Sequence, residues 1–321
     1  MPDNLEKSNM QMGGGPGRRG DFNNGMPRPE GRNYSSDDFT RKYLDSLLVE
    51  MRLIDSDLAS TDMNFFGHEM KTPVMFGVIH GYDKDGVRQK EQADAAVETG
   101  AALWIAARVP EEEKNMLAAV NSGARVVHIS KPYRDNGYLI DRLQNMAAYG
   151  CVAVGSDIDH AYAKDGDYDH GFGPKSVKEL SQIVNALKVP FIAKGVLSVQ
   201  DALKCQEAGV AGILLSHHHG IMDCAVPPVM LLPEIRKAVG PDYPIYVDCC
   251  IDTGADAFKA MALGASGVCT ARAAMKALPK GKEEMVRFMN GMTGELRHFM
   301  NRTSSPDIHH IDPSVIHRVV F

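Results

Sequence analysis

The chain has 321 residues, 44% of them hydrophobic, a net charge of -6 and six cysteines. That is enough apolar material for one large domain or two smaller ones, and the acidic balance, with a pI near 6.1, excludes the basic face that nucleic-acid binding needs. No apolar run approaches the roughly 18 residues that span a bilayer, and the N-terminus lacks the apolar core of a signal peptide. Most of the cysteines lie inside apolar runs and no CxxC occurs, so they read as reduced thiols in a cytoplasmic protein without membrane or nucleic-acid partners.

Residues 1–36 are rich in Gly, Pro, Asn and Arg and contain little to pack, which predicts a disordered arm. Helical spacing begins with "YLDSLLVEMRLID" from Tyr43. A repeating theme follows, in which a helix, a glycine and a short β-rich run succeed one another. The runs are "PVMFGVI" at 73–79, "AALWIAA" after Gly100, "ARVVHIS" after Gly123 and "CVAVGSD" after Gly150. They continue with "PFIAKG" at 190–195, "VAGILLS" after Gly209, "PIYVD" at 244–248 and "ASGVCTA" after Gly264. Each is short and apolar, as a strand buried on both faces should be. Ser176 to Glu179 and Ser198 to Asp201 resemble capping boxes at helix starts between them. A last long helix carries an apolar face at Met285, Phe288, Met289, Met292, Leu296, Phe299 and Met300. Eight alternating units predict a single α/β domain over 37–321, a (β/α)8 TIM barrel with flanking helices, rather than an open doubly wound sheet.

Barrel active sites lie at the C-terminal ends of the strands. The residues closing the eight runs are Gly77 to His80, Ala106 to Arg108, His128 with Ser130, Asp157 with Asp159 and His160, Lys194, Ser216 to His219, Asp248 and Arg272. So many ionisable groups at one mouth define a candidate site, although solvated strand ends carry polar residues anyway and Asp157, Asp159 and Asp248 could serve as caps. A lysine closing a buried strand, Lys194, is harder to assign to surface polarity. Successive side chains of an extended segment point to opposite faces, so His217, His218 and His219 cannot all enter one site.

The segments "VPFIAKGVLSVQDALKCQEAGVAGILLSHHHG" and "PIYVDCCIDTGADAFKAMALGASGVCTARAA" resemble the FMN-dependent 2-hydroxy-acid oxidases and dehydrogenases, which include glycolate and lactate oxidases. The similarity runs from about residue 70 to 320 and is strongest over 188–276. It implies an FMN oxidoreductase, commonly tetrameric, acting on a small-molecule substrate. It places the lysine at the flavin N1/O2 edge on Lys194, the catalytic histidine on His218 and its neighbouring aspartate on Asp248. The serine of the same motif falls on Ser216, and the glycine-arginine pair that holds the FMN phosphate falls on Ala271 and Arg272. Gly77, His128, Asp157, Cys249 and Cys250 fall at further cofactor-facing positions. The chemistry is coherent, because a lysine can stabilise negative charge on a reduced flavin, a histidine beside an aspartate can act as a general base, and arginine matches phosphate geometry.

The departures are specific. The arginine that clamps the substrate carboxylate is Ile221 here, and the second clamp has no clear match beyond Ala163 and Lys164. The phosphate-side arginine is Asp252, and the aspartate-glycine-glycine motif is Asp248-Cys249-Cys250. The flavin-contacting serine appears as Ala106 or Ala107, the glutamine and tyrosine as His128 and Ser130, and the threonine as Gly155. Without its clamps a simple 2-hydroxy acid loses its bidentate anchor. The expected substrate is therefore another hydroxy compound, or one held by Lys164, His128 or His217. Two other readings compete. One is a metal-dependent lyase, isomerase or epimerase with a divalent metal drawn from His128, Asp157, Asp159, His160, His217 and Asp248. The other is a non-catalytic binding module.

Overall fold

The computed structural model describes residues 35–79, 87–106, 110–162, 171–218 and 221–319. The arm predicted at 1–36 lies outside these except for its last two residues, which belong to the first helix. Ser35 caps helix α1 (Ser36–Asp45) and exchanges hydrogen bonds with Asp38 in a capping box.

Eight parallel strands close on themselves: β1 (Val74–Ile79), β2 (Ala102–Ile105), β3 (Arg125–Ser130), β4 (Ala153–Asp157), β5 (Phe191–Lys194), β6 (Gly212–Leu215), β7 (Ile245–Val247) and β8 (Gly267–Thr270). Each lies within one of the eight runs picked out in the sequence. Closure is made by β8 against β1, with Val268 opposite Val74 and Thr270 opposite Phe76. β2 and β4 to β8 are buried at every position, which is why they read as unbroken apolar stretches rather than alternating ones.

Helices separate the strands: α2 (Val87–Thr99), α3 (Pro110–Asn121), α4 (Asn136–Ala148), α5 (Val177–Ala186), α6 (Val199–Glu207), α7 (Pro228–Val239) and α8 (Gly254–Ala262), followed by the short α9 (Arg272–Ala277) and the long α10 (Lys282–Asn301). Ser176 and Glu179 form the reciprocal capping box read from the sequence. Ser198 caps α6 by accepting from the Asp201 amide. On α10, Met285, Met289, Met292, Leu296 and Met300 are buried, while Phe288 and Phe299 are partly so. The helix packs against α2 and α8.

The N-terminal end of the barrel is plugged. A hairpin of Met63–Phe65 and His68–Met70 inserts Phe65 against Trp104 of β2 and Tyr246 of β7, with ring centroids 6.4 Å and 5.5 Å apart. Fully buried aromatic rings in edge-on contact leave no passage there. α1 lies at the opposite end. Its neighbour Leu47–Val49 pairs antiparallel with Ile316–Arg318.

Candidate active site

The β5 strand is apolar until its last residue, Lys194, whose side chain is buried at the barrel mouth. Burying an ammonium is costly unless it is paired. Its Nζ lies 3.0 Å from Asp157 Oδ1, 3.3 Å from Ser216 Oγ and 2.9 Å from His218 Nε2. Burial acts to lower the Lys194 pKa, but Asp157, Asp248 and Asp159 outweigh it and the pKa is raised, so the ammonium stays charged.

Asp157, at the end of β4, has a second cation. Lys131 Nζ donates to its Oδ2 at 2.9 Å, and both side chains are buried. Against the effect of burial, Lys194, His218 and Lys131 hold Asp157 well below the usual carboxylate range. Gly195 sits at φ +92°, where a Cβ would stand 2.3 Å from Asp159 Oδ1. The glycine after the lysine therefore makes room for the second carboxylate.

His218 stands between these groups in a left-handed backbone conformation, φ 48°. Its Nδ1 is 2.7 Å from Asp159 Oδ2 and its Nε2 is 3.5 Å from Asp157 Oδ2. Burial and Lys194 work to lower its pKa, yet Asp157 and Asp159 raise it to about 9. When the ring is neutral, Nδ1–H donates to Asp159 and Nε2 accepts from the Lys194 ammonium. When it is protonated, the ammonium keeps Asp157 and Ser216. His160 stacks edge-on to His218 with centroids 4.7 Å apart. Burial, helped by Lys131 and His218, pushes the His160 ring down to about 4, so it is neutral beside a cationic partner.

The structure thus brings together Lys194, His218, Ser216, Asp157, Asp159 and His160. Asp248, read as the histidine's neighbour, instead accepts from Cys249 Sγ at 2.9 Å and faces Lys194 only electrostatically. His217, read as a substrate residue, is buried, and its Nε2 is 2.9 Å from Thr40 Oγ1 of α1. Lys131 was missed because it lies one residue past the run that was read as a strand. Lys164, His219, Gly220, His80, Ala107, Arg108 and Ala163 lie outside the described residues. Ile221, at the position of the missing clamp, is 43% exposed.

His128 closes β3 fully buried, with no hydrogen-bond partner at either ring nitrogen among the described residues. Burial, together with Arg142, drops its pKa to about 3, so it is a neutral imidazole. The hydroxyls of Ser130, Ser156 and Thr270, also near strand ends, lack partners too. Buried polar atoms seldom go unpaired, but the strand register puts His128, Ser130 and Ser156 on the opposite face of the sheet from Asp157 and Lys194. Around the other edge, Ala271 approaches Gly77 so closely that a Cβ there would be 2.9 Å from its own. Cys249 and Cys250 keep left-handed backbones, φ 68° and 60°, which glycine adopts without strain. Arg272, the first residue of α9, carries the Asp37 carboxylate of α1 on its guanidinium.

Of the metal pool, Asp157 and Asp159 converge, joined by His218, with one ligand atom from each within 4.8 Å of the others. His128, His160, His217 and Asp248 do not join that group. Lys131 and Lys194 both pair with Asp157, and Asp159 holds His218, which leaves little attraction for a cation. At the other end of the barrel, a cavity of about 620 Å³ is lined by Pro244, Gly264 and Ser266. Its Arg236 is spent on the carbonyls of Gly240, Pro241, Tyr243 and Gly264.

Residues 169–318, which carry β5 to β8 and the histidine, match the family described as FMN-dependent dehydrogenase. Among curated relatives the chain is 41% identical over 101 residues to an L-lactate oxidase of Alicycliphilus denitrificans, covering 31% of this chain and 28% of the relative. It is 38% identical over 117 residues to a 4-hydroxymandelate oxidase of Amycolatopsis orientalis, covering 36% and 33%. At 22% identity the match to a 2-hydroxyacid oxidase of Dictyostelium discoideum extends over 84% of this chain and 79% of that one. The chain therefore spans only about a third of the length of the relatives it matches at high identity. A mandelate oxidase variant solved with a monooxide FMN adduct superposes with a TM-score of 0.78 at 23% identity, covering 89% of this chain and 92% of that one. That likeness shows the barrel fold. The matches do not favour the metal-dependent or the non-catalytic reading. No helix among the described residues is long and apolar enough to cross a membrane.

Proposed function

We propose that this protein is an FMN-dependent oxidoreductase that oxidises a hydroxy compound other than a standard small 2-hydroxy acid. The observation that carries the reading is the buried Lys194 at the end of β5, in contact with both Ser216 and His218 inside the segment that matches the FMN-dependent dehydrogenase family.

The residues present fit a flavin at its ring end. Lys194 and Ser216 would hold the ring edge. Arg272 would take the phosphate once released from Asp37. Bound FMN supplies an acceptor for a hydride from the substrate carbon.

His218 then supplies the base. Neutral, it takes the substrate hydroxyl proton on Nε2, while Asp159 on Nδ1 fixes the ring and stabilises the imidazolium that results. Lys194 stabilises negative charge at the ring edge. Substrate anchoring falls to cations other than the family's arginines. Lys131, placed at the mouth by its pair with Asp157, is one, and Lys164 is another. A cytoplasmic homo-oligomer is the assembly this reading carries.

The test is flavin content. Incubated with FMN and desalted, the protein retains about one flavin per chain with visible flavin absorption. A colourless protein that leaves added FMN fully fluorescent contradicts the proposal.

A further inference from the structure

The phosphate end of the site does not match its ring end. Arg272 is the cation there, and it already holds an anion from its own chain: Asp37 Oδ2 accepts from its Nη2. Asp252 is a second carboxylate acting on the same guanidinium. Two carboxylates thus already face this guanidinium, so an arriving phosphate competes with anions in place. A phosphate monoester brings about 1.5 to 2 further negative charges at neutral pH.

Asp37 is not a loose surface carboxylate, because the helix that carries it is pinned on both sides. One residue earlier, Ser36 Oγ donates to the Met222 carbonyl. One turn later, Thr40 meets His217, and Arg41 grips the buried Asp256 through two bonds of 3.0 Å and 2.7 Å and also reaches the Cys250 carbonyl at 3.3 Å. Lys259 of α8 donates to the Leu44 carbonyl at 2.8 Å. The Cys250 thiol, where the family has a glycine, packs toward Asp37, with Sγ 3.5 Å from its carbonyl and 3.7 Å from Oδ1. The corner is filled by a carboxylate and a thiol where a phosphate and bare backbone are expected.

We propose that Asp37 is an internal occupant of the phosphate seat, so that this barrel binds a flavin through its ring and gains little from the phosphate. The proposal rests on the flavin reading above. Riboflavin, which lacks the phosphate, should then bind about as well as FMN.

The full chain is titrated into FMN and into riboflavin, and quenching of flavin fluorescence gives each affinity. The wild type is expected to bind the two within about threefold of each other. In Asp37→Asn, Arg272 loses a charged partner worth about 1.5 kcal/mol or more, so FMN tightens by about tenfold while riboflavin is unchanged. The wild-type comparison needs no variant, and the unchanged riboflavin affinity reports that Asp37→Asn is folded. Wild type preferring FMN by more than about tenfold overturns the proposal, as does an FMN-to-riboflavin ratio that Asp37→Asn leaves unaltered. Binding of neither flavin to either protein overturns the flavin reading and the proposal with it, a result distinct from the first two.

Discussion

His218 is pulled in two directions, and the balance sets when it can act. Two carboxylates favour its proton, and the Lys194 ammonium disfavours it. With the pKa raised to about 9, the ring is mostly imidazolium at neutral pH and becomes a base only as pH rises. Substrate oxidation should therefore climb with pH through about 9. Asp159→Asn removes one carboxylate, so the midpoint should move to lower pH by about one unit. An initial-rate profile on both proteins checks the shift and its sign. Lys194 offers a second test. Lys194→Met removes one of the cations that face the buried Asp157 and should cost about 3 kcal/mol in urea unfolding. Lys194, Ser216, His218 and Asp157 were legible because each closes an apolar run. Lys131 and Asp37 were not, because each acts through a partner distant in sequence: Lys131 through Asp157, Asp37 through Arg272. The Thr40 contact of His217 was not legible for the same reason, since the two are 177 residues apart.

At the scale of elements, α1 is an integral cover of the barrel mouth rather than the end of an arm. It touches β6, the loop after β7, and α8 through Thr40, Arg41 and the Leu44 carbonyl. Asp256 links it to α8, because the same carboxylate caps that helix by accepting from Thr253. Arg41→Ala leaves a buried carboxylate short of its bidentate partner and should destabilise the protein by about 2 kcal/mol. Thermal or urea unfolding measures the loss. The eight strands were readable because burial on both faces makes each one apolar and glycines mark the preceding helix ends. The docking of α1 was not, since its contacts are polar and non-local, and its hydrophilic first turn, Ser36-Asp37-Asp38, looks like the composition of the arm before it.

For the whole molecule, three histidines, one buried and two partly buried, shape stability against pH. His128 and His160 are held neutral, with folded values of about 3 and about 4. An unfolded histidine near 6.5 binds the proton that these refuse, so stability falls as pH drops below about 6.5. His218 has the opposite sign. Its folded value of about 9 exceeds the unfolded one, so its contribution is complete below about 6.5 and is lost as pH rises through about 9. Unfolding midpoints recorded from pH 4 to 10 (about six steps suffice) should pass through a maximum near neutrality. The alkaline fall should disappear in His218→Gln. The pH of greatest stability is thus not the pH of greatest activity, because the proton that stabilises His218 is the one it must lose to work.

The most direct test is anaerobic reduction of the bound flavin. The flavin-loaded protein at about pH 9, where His218 is half neutral, is mixed with a panel of hydroxy compounds wider than the small 2-hydroxy acids. Bleaching of the flavin bands by one of them, abolished in His218→Gln while flavin stays bound, is the predicted result. A bound flavin that no hydroxy compound reduces, or one reduced equally fast without His218, would contradict the account.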